Sequence, residues 1–526
     1  MRPQFHLACL LLLTACGGGG GGSTTSPTPT PVPTPSNSWL QFTPPSGEIS
    51  AYEGHKTVLT LKLKSSKTLP NDVGISVKES KGVINPKIGW TPHSNTEFSL
   101  FIEPAALPPG SYSTQLEVRL CEDSALVCNR PVQGSPWIVP LNVVIKPSQN
   151  LTALADLPGV GDWRPYNGGL AHNAYVPGTF DPAKFSMRWS HSHVAPQNWV
   201  AVNEITTANG VIFVRVSAAR KEVLRALDEA SGQVLWETAV DYDMSPPVAA
   251  DGKLYAATSN SPTGKKELVA YSQKTGALLS RTELPTVDAY VPPQYMDGAI
   301  YSYGKKYGVD EYTISRIDTQ TGQAKWRTDV LQAGFRPLSG DSEYLYSIYD
   351  SKLSILRNSD GKLITAAAPF DCSAKNPIVA PKGILYSSCG ILTAFDTLNK
   401  KNLWKTSAAG FSDGMALGGK ILYAVREQVL EARRIEDGSL IWSSEKMQSH
   451  SGDTYSGWHI IATDNIVFVS NLSFTYAYDI NSRKQVASYP YGGPLALSSK
   501  GVLYIQGITG NRFESNRPTL IAINLR

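Results

Sequence analysis

The side chains best suited to bind metal or react in this 526-residue chain are six cysteines and eight histidines. Cys121 and Cys128 flank the short stretch Glu122–Val127, which reads as a hairpin loop. Cys372 and Cys389 fall on neighbouring strands of one repeat. Four such cysteines allow three pairings, and closeness in sequence favours Cys121–Cys128 and Cys372–Cys389. No Cys-x-x-Cys spacing occurs, so the four point to disulfides of an oxidising compartment and not to a metal centre. His191 and His193 share one face of a strand, a spacing that can begin a metal site. No third ligand stands near, and they read as surface histidines. His450, Asp453 and His459 lie in one connection with Tyr455 and Trp458, which reads as a polar loop or the lining of a channel mouth. Asp241 and Asp243 could approach a cation, but they read as the start of a turn. His-Glu-x-x-His and the phosphate loop are absent. The expectation is no catalytic, cofactor-binding or metal residue, and no bound cofactor.

The elements that must position these side chains are repeats. Val223–Trp236 (VLRALDEASGQVLW) reads as strand, tight turn and strand, with Gly232 supplying a positive φ. The unit returns at Leu268–Ser280, Ile314–Trp326, Leu353–Thr365, Leu392–Trp404 and Leu430–Trp442, and in degraded form at Tyr476–Ser488 and Leu520–Leu525. A turn and a hydrophobic strand precede each copy, as in Gly252–Ala256 (GKLYA), Gly383–Ser387 (GILYS) and Gly501–Ile505 (GVLYI). About eight copies recur at roughly 36–46 residues, the period of a four-stranded propeller blade. One blade cannot bury both faces, so the copies must stack around an axis. An orphan strand, Phe185–His191, carries Trp189 where other units carry the Trp of their last strand. The final unit, by contrast, stops before such a strand. Ring closure by the N-terminal strand fits the one to the other and removes two free edges. Trp189, Trp236, Trp326, Trp404 and Trp442 are expected to dock blade on blade, each burying a large ring with one N–H to place.

Ahead of the repeats, Met1–Ala15 reads as a targeting segment, with Arg2 followed by an apolar run too short to span a bilayer. Leu13–Cys16 (LTAC) resembles the lipobox of bacterial lipoproteins. That resemblance implies cleavage before Cys16 and a diacylglyceryl chain on its thiol, and Gly17 in place of Asp points to the outer membrane. An ordinary signal peptide cut after Ala15 is the alternative. Residues 16–38 form a Gly- and Pro/Thr-rich tether, flexible and then extended. Residues 39–147 show period-two stretches at Thr57–Leu63, Glu97–Ile102, Thr114–Leu120 and Trp137–Ile145, which imply an antiparallel sandwich of immunoglobulin-like type. Within it, Leu107–Val118 resembles a hairpin of bacterial immunoglobulin-like modules, including the carbohydrate-associated BACON type. The module reads as a spacer or as a glycan- or protein-binding unit. Residues 148–181 read as linker and lead-in, and 182–526 as the propeller.

The repeats resemble those of pyrroloquinoline-quinone-type (PQQ-type) propellers over about 162–526, beginning with Gly161–Asn173. The shared marks are Ala-x-Asp, a turn Gly, and Trp four residues after it. Ala226, Asp228, Gly232 and Trp236 carry them, as do Asp318, Gly322 and Trp326. Lys400 replaces the Gly before Trp404, and Arg434 replaces the Asp before Trp442. Gly276 and Gly361 lack the Trp. The family has two branches. Quinoprotein dehydrogenases hold PQQ and Ca²⁺ over the channel, commonly with an adjacent Cys-Cys disulfide. This chain has neither that pair nor a Cys-x-x-Cys-His haem site, and its blades are compact. The other branch is non-enzymatic and includes a lipoprotein of the outer-membrane β-barrel assembly machinery, similar in lipobox, compact blades and ring closure but without a comparable tether or sandwich.

The formal net charge of +4 is small for this length, and no basic stripe appears, which argues against nucleic acid. The sequence therefore implies an all-β protein: an immunoglobulin-like β-sandwich followed by an eight-bladed β-propeller closed by an N-terminal strand. The expected function is a non-enzymatic protein-binding scaffold, anchored to the outer membrane by lipid, with an envelope protein as partner. Two other readings stand. One is glycan binding, through the sandwich or through aromatic clusters such as Tyr455 with Trp458 or Tyr489 with Tyr491. The other is a PQQ-dependent oxidoreductase.

Overall fold

The computed structural model describes residues 39–526 except 56, 71–72, 165–166, 194–199, 203–204, 219–220, 241–242, 260–264, 285–290, 306–310, 332–337, 350, 371–376, 449–456 and 510–516. Cys16 and the tether, Asp241, Cys372, His450, Asp453 and Tyr455 lie outside the described residues. Among the described residues every regular element is a strand, apart from two single-turn 3-10 helices, Pro182–Lys184 and Pro381–Gly383. None is a helix long and apolar enough to cross a membrane.

Two four-stranded sheets make up the N-terminal part. One runs in the order Leu40–Thr43, Leu59–Ser65, Glu97–Ile102, Gly89–Pro92, and the other Gly47–Tyr52, Trp137–Lys146, Gly110–Cys121, Gly74–Lys78. Gly47–Tyr52 pairs parallel to Trp137–Lys146, and the other pairings are antiparallel. Burial alternates residue by residue along Trp137–Lys146, because one face meets the core and the other meets water. The core drawn from both sheets includes Leu61, Leu100, Val118 and Val143. Cys121 and Cys128 form a disulfide that closes the loop between them.

From Val200 onward the chain lays down eight successive antiparallel sheets. Each begins with an inner strand, short in all but sheet six, and steps outward in chain order. Sheet one carries Thr206–Ala208, Val211–Ala218, Lys221–Asp228 and Val234–Val240, and sheet seven carries His459–Ala462, Ile466–Ser470, Thr475–Asp479 and Gln485–Tyr489. Strands in the middle of a sheet are covered on both faces by neighbouring sheets. Ile466–Ser470 is buried at every residue, which is why such strands read as continuous apolar runs. The outer strand of sheet two, Leu278–Glu283, is almost wholly exposed. Sheet eight is completed from the other end of the sequence. After Leu495–Leu497, Val502–Thr509 and Arg517–Asn524, its outer strand is Ser186–Ser192, with Ala522 opposite Trp189.

The turn before the outer strand has a common construction in sheets one, three and five. Asp228 accepts from Ser231 N at 2.7 Å and Ser231 Oγ at 2.6 Å. Asp318 receives Gln320 and Thr321 N–H groups in the same way, and Asp396 receives Leu398 and Asn399. The repeated Asp is thus a turn former that satisfies backbone donors locally. Gly232 adopts φ +73 at the end of that turn.

Candidate functional site

The repeated aromatic side chains are committed to the joints between sheets. Trp189 Nε1 donates to Glu229 O at 3.0 Å, Trp236 to Gln273 O at 3.0 Å, Trp326 to Asn358 O at 2.9 Å and Trp404 to Ile435 O at 2.8 Å. Each acceptor opens the turn of the next sheet, so every ring lies across the boundary it closes. Trp442 instead packs against Tyr478 of sheet seven, with centroids 6.4 Å apart. A second aromatic, absent from the sequence reading, acts beside the Trp. Tyr255 OH donates to Thr319 O at 3.2 Å, Tyr301 OH to Asn358 Oδ1 at 2.6 Å, and Tyr504 OH to Glu229 Oε1 at 3.1 Å. Its signal was the Tyr kept in GKLYA, GAIYS, GILYS and GVLYI. Burial pushes Tyr255 and Tyr386 up to about 12, so they remain protonated donors and are poorly suited to acid–base work.

The turn glycines follow the same geometry. A Cβ on Gly232 would lie 2.6 Å from Trp189 Cδ2, and one on Gly438 would lie 2.6 Å from Trp404 Cε3. Sheets two and four carry Ser280 and Thr365 in place of Trp. In the sheets that follow them, Gly322 meets nothing closer than Thr282 Oγ1 at 3.9 Å, and the glycine is replaced outright by Lys400. Both Gly322 and Gly232 have positive φ. Gly322→Ala is therefore expected to cost only the left-handed penalty, about 1–2 kcal/mol. Gly232→Ala adds an overlap with a fixed ring, about 1–3 kcal/mol more. Urea unfolding of the two variants measures the difference, and equal losses would show that the Trp does not rest on the glycine.

Residues 157–164 and 167–180, expected as linker and lead-in, form an integral strap along the inner strands. Leu157 N donates to Ser499 O in sheet eight, and Thr207 N of sheet one donates to Trp163 O. Arg164 stacks on Tyr295 of sheet three at 4.6 Å. Gly340 N, Val379 N and Leu417 N, in sheets four, five and six, donate to Leu170, Ala171 and Asn173 carbonyls. Ala462 of sheet seven is bonded on both sides, to Ala174 and Val176. Tyr175 OH bonds Asp464, and Asn465 bonds both N–H and C=O of Phe180. His172, fully buried, places Nδ1 3.0 Å from Ser339 Oγ. Burial lowers its pKa to about 4, so it is a neutral packing group.

Several of the remaining sequence candidates resolve differently from expectation. His193 is buried and not a surface residue. Arg225 Nη1 lies 2.6 Å from His193 Nδ1 and 3.2 Å from His191 Nε2, while its Nε meets Glu237 at 2.5 Å. Burial, and then Arg225, push His193 down to about 3. A guanidinium thus takes the lone pairs a metal would need. Trp458, Tyr489 and Tyr491 are also buried, in the one core cluster that takes in sheets six to eight and Tyr52 of the sandwich. They offer no exposed stacking face to a glycan. His459 opens the inner strand of sheet seven and is lowered to about 4 by burial. Asp243 begins a short strand and not a turn. Cys389 is disulfide-bonded. The only described group of three or more His, Cys, Asp or Glu able to converge on an ion is Cys121, Asp123 and Cys128, two of which are the disulfide.

The chain matches the PQQ_2 family model, described as outer membrane protein assembly factor BamB, over residues 220–444. No curated protein matches it. Among solved structures it is similar to quinohemoprotein alcohol dehydrogenase ADHIIG of Pseudomonas putida HK5, 12% identical at a TM-score of 0.53, over 69% of this chain and 80% of that one. The quinohemoprotein alcohol dehydrogenase of Comamonas testosteroni gives 12% identity and 0.53, over 71% and 81%. BamB from Moraxella catarrhalis gives 12% and 0.47, over 65% and 98%. The dehydrogenase folds and the repeating sheets make the C-terminal part a β-propeller, with PQQ-like repeats over the matched residues.

Proposed function

We propose that this protein is a non-enzymatic scaffold: an eight-bladed propeller, carried on an immunoglobulin-like module and a lipid-anchored tether, that binds an envelope protein during outer-membrane protein assembly. The observation that carries the reading is the family match over 220–444, whose description is an assembly factor. The geometry supports it. Four of the repeat Trp rings are bonded across sheet boundaries, so the repeats spend their distinctive residues on a rigid ring. Rigid rings that display loops are suited to recognition, although fold alone assigns no function.

The dehydrogenase likeness favours a second reading, PQQ-dependent oxidation. The residues do not fit that cofactor well. The sequence has no adjacent cysteines. The described part of the ring brings together no three carboxylate or imidazole groups able to hold Ca²⁺.

Crosslinking in intact cells, followed by affinity capture of the tagged chain beside a Cys16→Ala form, tests the scaffold. One dominant envelope protein, captured less by the unlipidated form, is the expected result. No protein partner, together with stoichiometric PQQ and Ca²⁺ uptake by the purified chain, would overturn the reading in favour of the enzyme.

A further inference from the structure

The N-terminal sandwich touches the ring through one turn. Tyr52 at the end of Gly47–Tyr52 is buried in the core of the ring and not that of its own sandwich. Gly54, at φ +73, turns the chain back, and His55 N donates to Tyr52 O at 2.9 Å. His55 is thereby set edge-on to Tyr491 of the ring, with centroids 5.6 Å apart and planes at 82°. Its Nε2 lies 3.4 Å from Ser190 Oγ on the closing strand. A few residues after the sandwich the chain is tied to the ring again. Asn150 N donates to Arg188 O at 3.1 Å, and Asn524 Nδ2 donates to Asn150 O at 2.9 Å. Only Pro147–Gln149 separate this tie from the last sandwich strand, Trp137–Lys146.

We propose that the Tyr52–His55 turn is an acid-sensitive latch. It locks the sandwich against the ring at neutral pH and releases it in acid, with Pro147–Gln149 as the hinge. The groups around His55 make a charged imidazole costly. On its own element stand Tyr52 and the exposed Glu53, and Lys146 Nζ lies 5.9 Å over the Tyr52 ring. From the ring come Tyr489 and Tyr491, whose hydroxyls are buried and raised well above their ordinary value by burial. No carboxylate pairs with the imidazole among the described residues. Burial accordingly holds His55 below its ordinary 6.5. The sign follows from linkage: docking favours the neutral ring, so docking is complete above pH 6.5 and weakens as pH falls below it. The docked-to-open ratio drops by up to about tenfold per pH unit until the docked form itself protonates.

Single-molecule energy transfer between dyes on Ser94→Cys, in the sandwich, and Lys362→Cys, on the ring, reads the joint in the otherwise intact chain. One short-distance population is expected at pH 7.5, and a second, broad one at pH 5, with near-ultraviolet dichroism unchanged. His55→Phe keeps the edge-on ring, His55→Gln keeps a donor, and neither titrates there. Both are expected to lose the response to pH. If both are already open at pH 7.5 but unmoved by acid, the response has gone with the imidazole and the latch stands. A wild-type distance constant from pH 7.5 to 4.5, or acid opening that persists in both variants, would overturn it.

Discussion

A chain beginning at Pro182 is expected to lose the cooperative folding that a chain beginning at Gln149 retains. The missing residues supply Trp163, Leu170, Val176 and Phe180, all buried against the ring. Burying each such side chain is worth about 1.5–3 kcal/mol, so together they approach the ~5–15 kcal/mol that separates folded from unfolded domains. The hydrogen bonds from Gly340, Val379, Leu417 and Ala462 to the strap would be exchanged for water. That exchange costs less than the lost burial, since a net hydrogen bond contributes only about 0.5–1.5 kcal/mol. Thermal unfolding followed by near-ultraviolet dichroism checks this. The shorter chain should show no sharp transition, and the longer one should. A shorter chain that melts within a few degrees of the longer one would show that the strap merely rests on the ring.

Legibility in the sequence followed the kind of atom that does the bonding. The Trp part of the sheet joints was readable because that side chain recurs at a fixed offset from the turn Gly in most units, whereas the Tyr part recurs in the sequence without having been recognised as a joint. The closing strand was readable for the same reason, through Trp189. The strap was not, because backbone groups of Leu170, Ala171, Asn173 and Ala174 carry its contacts, and GLAHNA has neither strand nor helix period. In the sandwich, Leu40–Thr43 and Gly89–Pro92 were missed because four-residue edge strands leave too little alternation to detect. His193, Tyr489 and Tyr491 were misplaced because what covers them comes from remote parts of the chain. Local polarity gives no warning of that burial.

Replacing Arg188 should be the most damaging single change in the described ring. Its side chain is 1% exposed at the one boundary where the two ends of the propeller meet. Nε donates to Glu229 O at 3.2 Å, while Nη1 donates to Thr152 O at 2.8 Å and to Asn524 Oδ1 at 3.0 Å. One guanidinium thus joins sheet eight, sheet one and the tie that follows the sandwich. Glu229 is equally buried and takes Tyr504 OH at 3.1 Å, with Lys500 Nζ at 3.7 Å. Arg188→Met keeps much of the apolar stem but leaves that carboxylate short of positive charge. It also leaves three acceptors without their donor. Leaving a buried acceptor without its donor costs about 1–3 kcal/mol, and the full loss over the three should appear in urea unfolding. Glu229→Gln added to Arg188→Met removes the uncompensated charge. The double variant should therefore be less damaged than the sum of the two single ones, by about 0.5–3 kcal/mol for groups in one network. Strict additivity would mean that Arg188 acts through its hydrogen-bond acceptors alone. Ring closure would then rest on hydrogen bonding and on Trp189, with no contribution from charge.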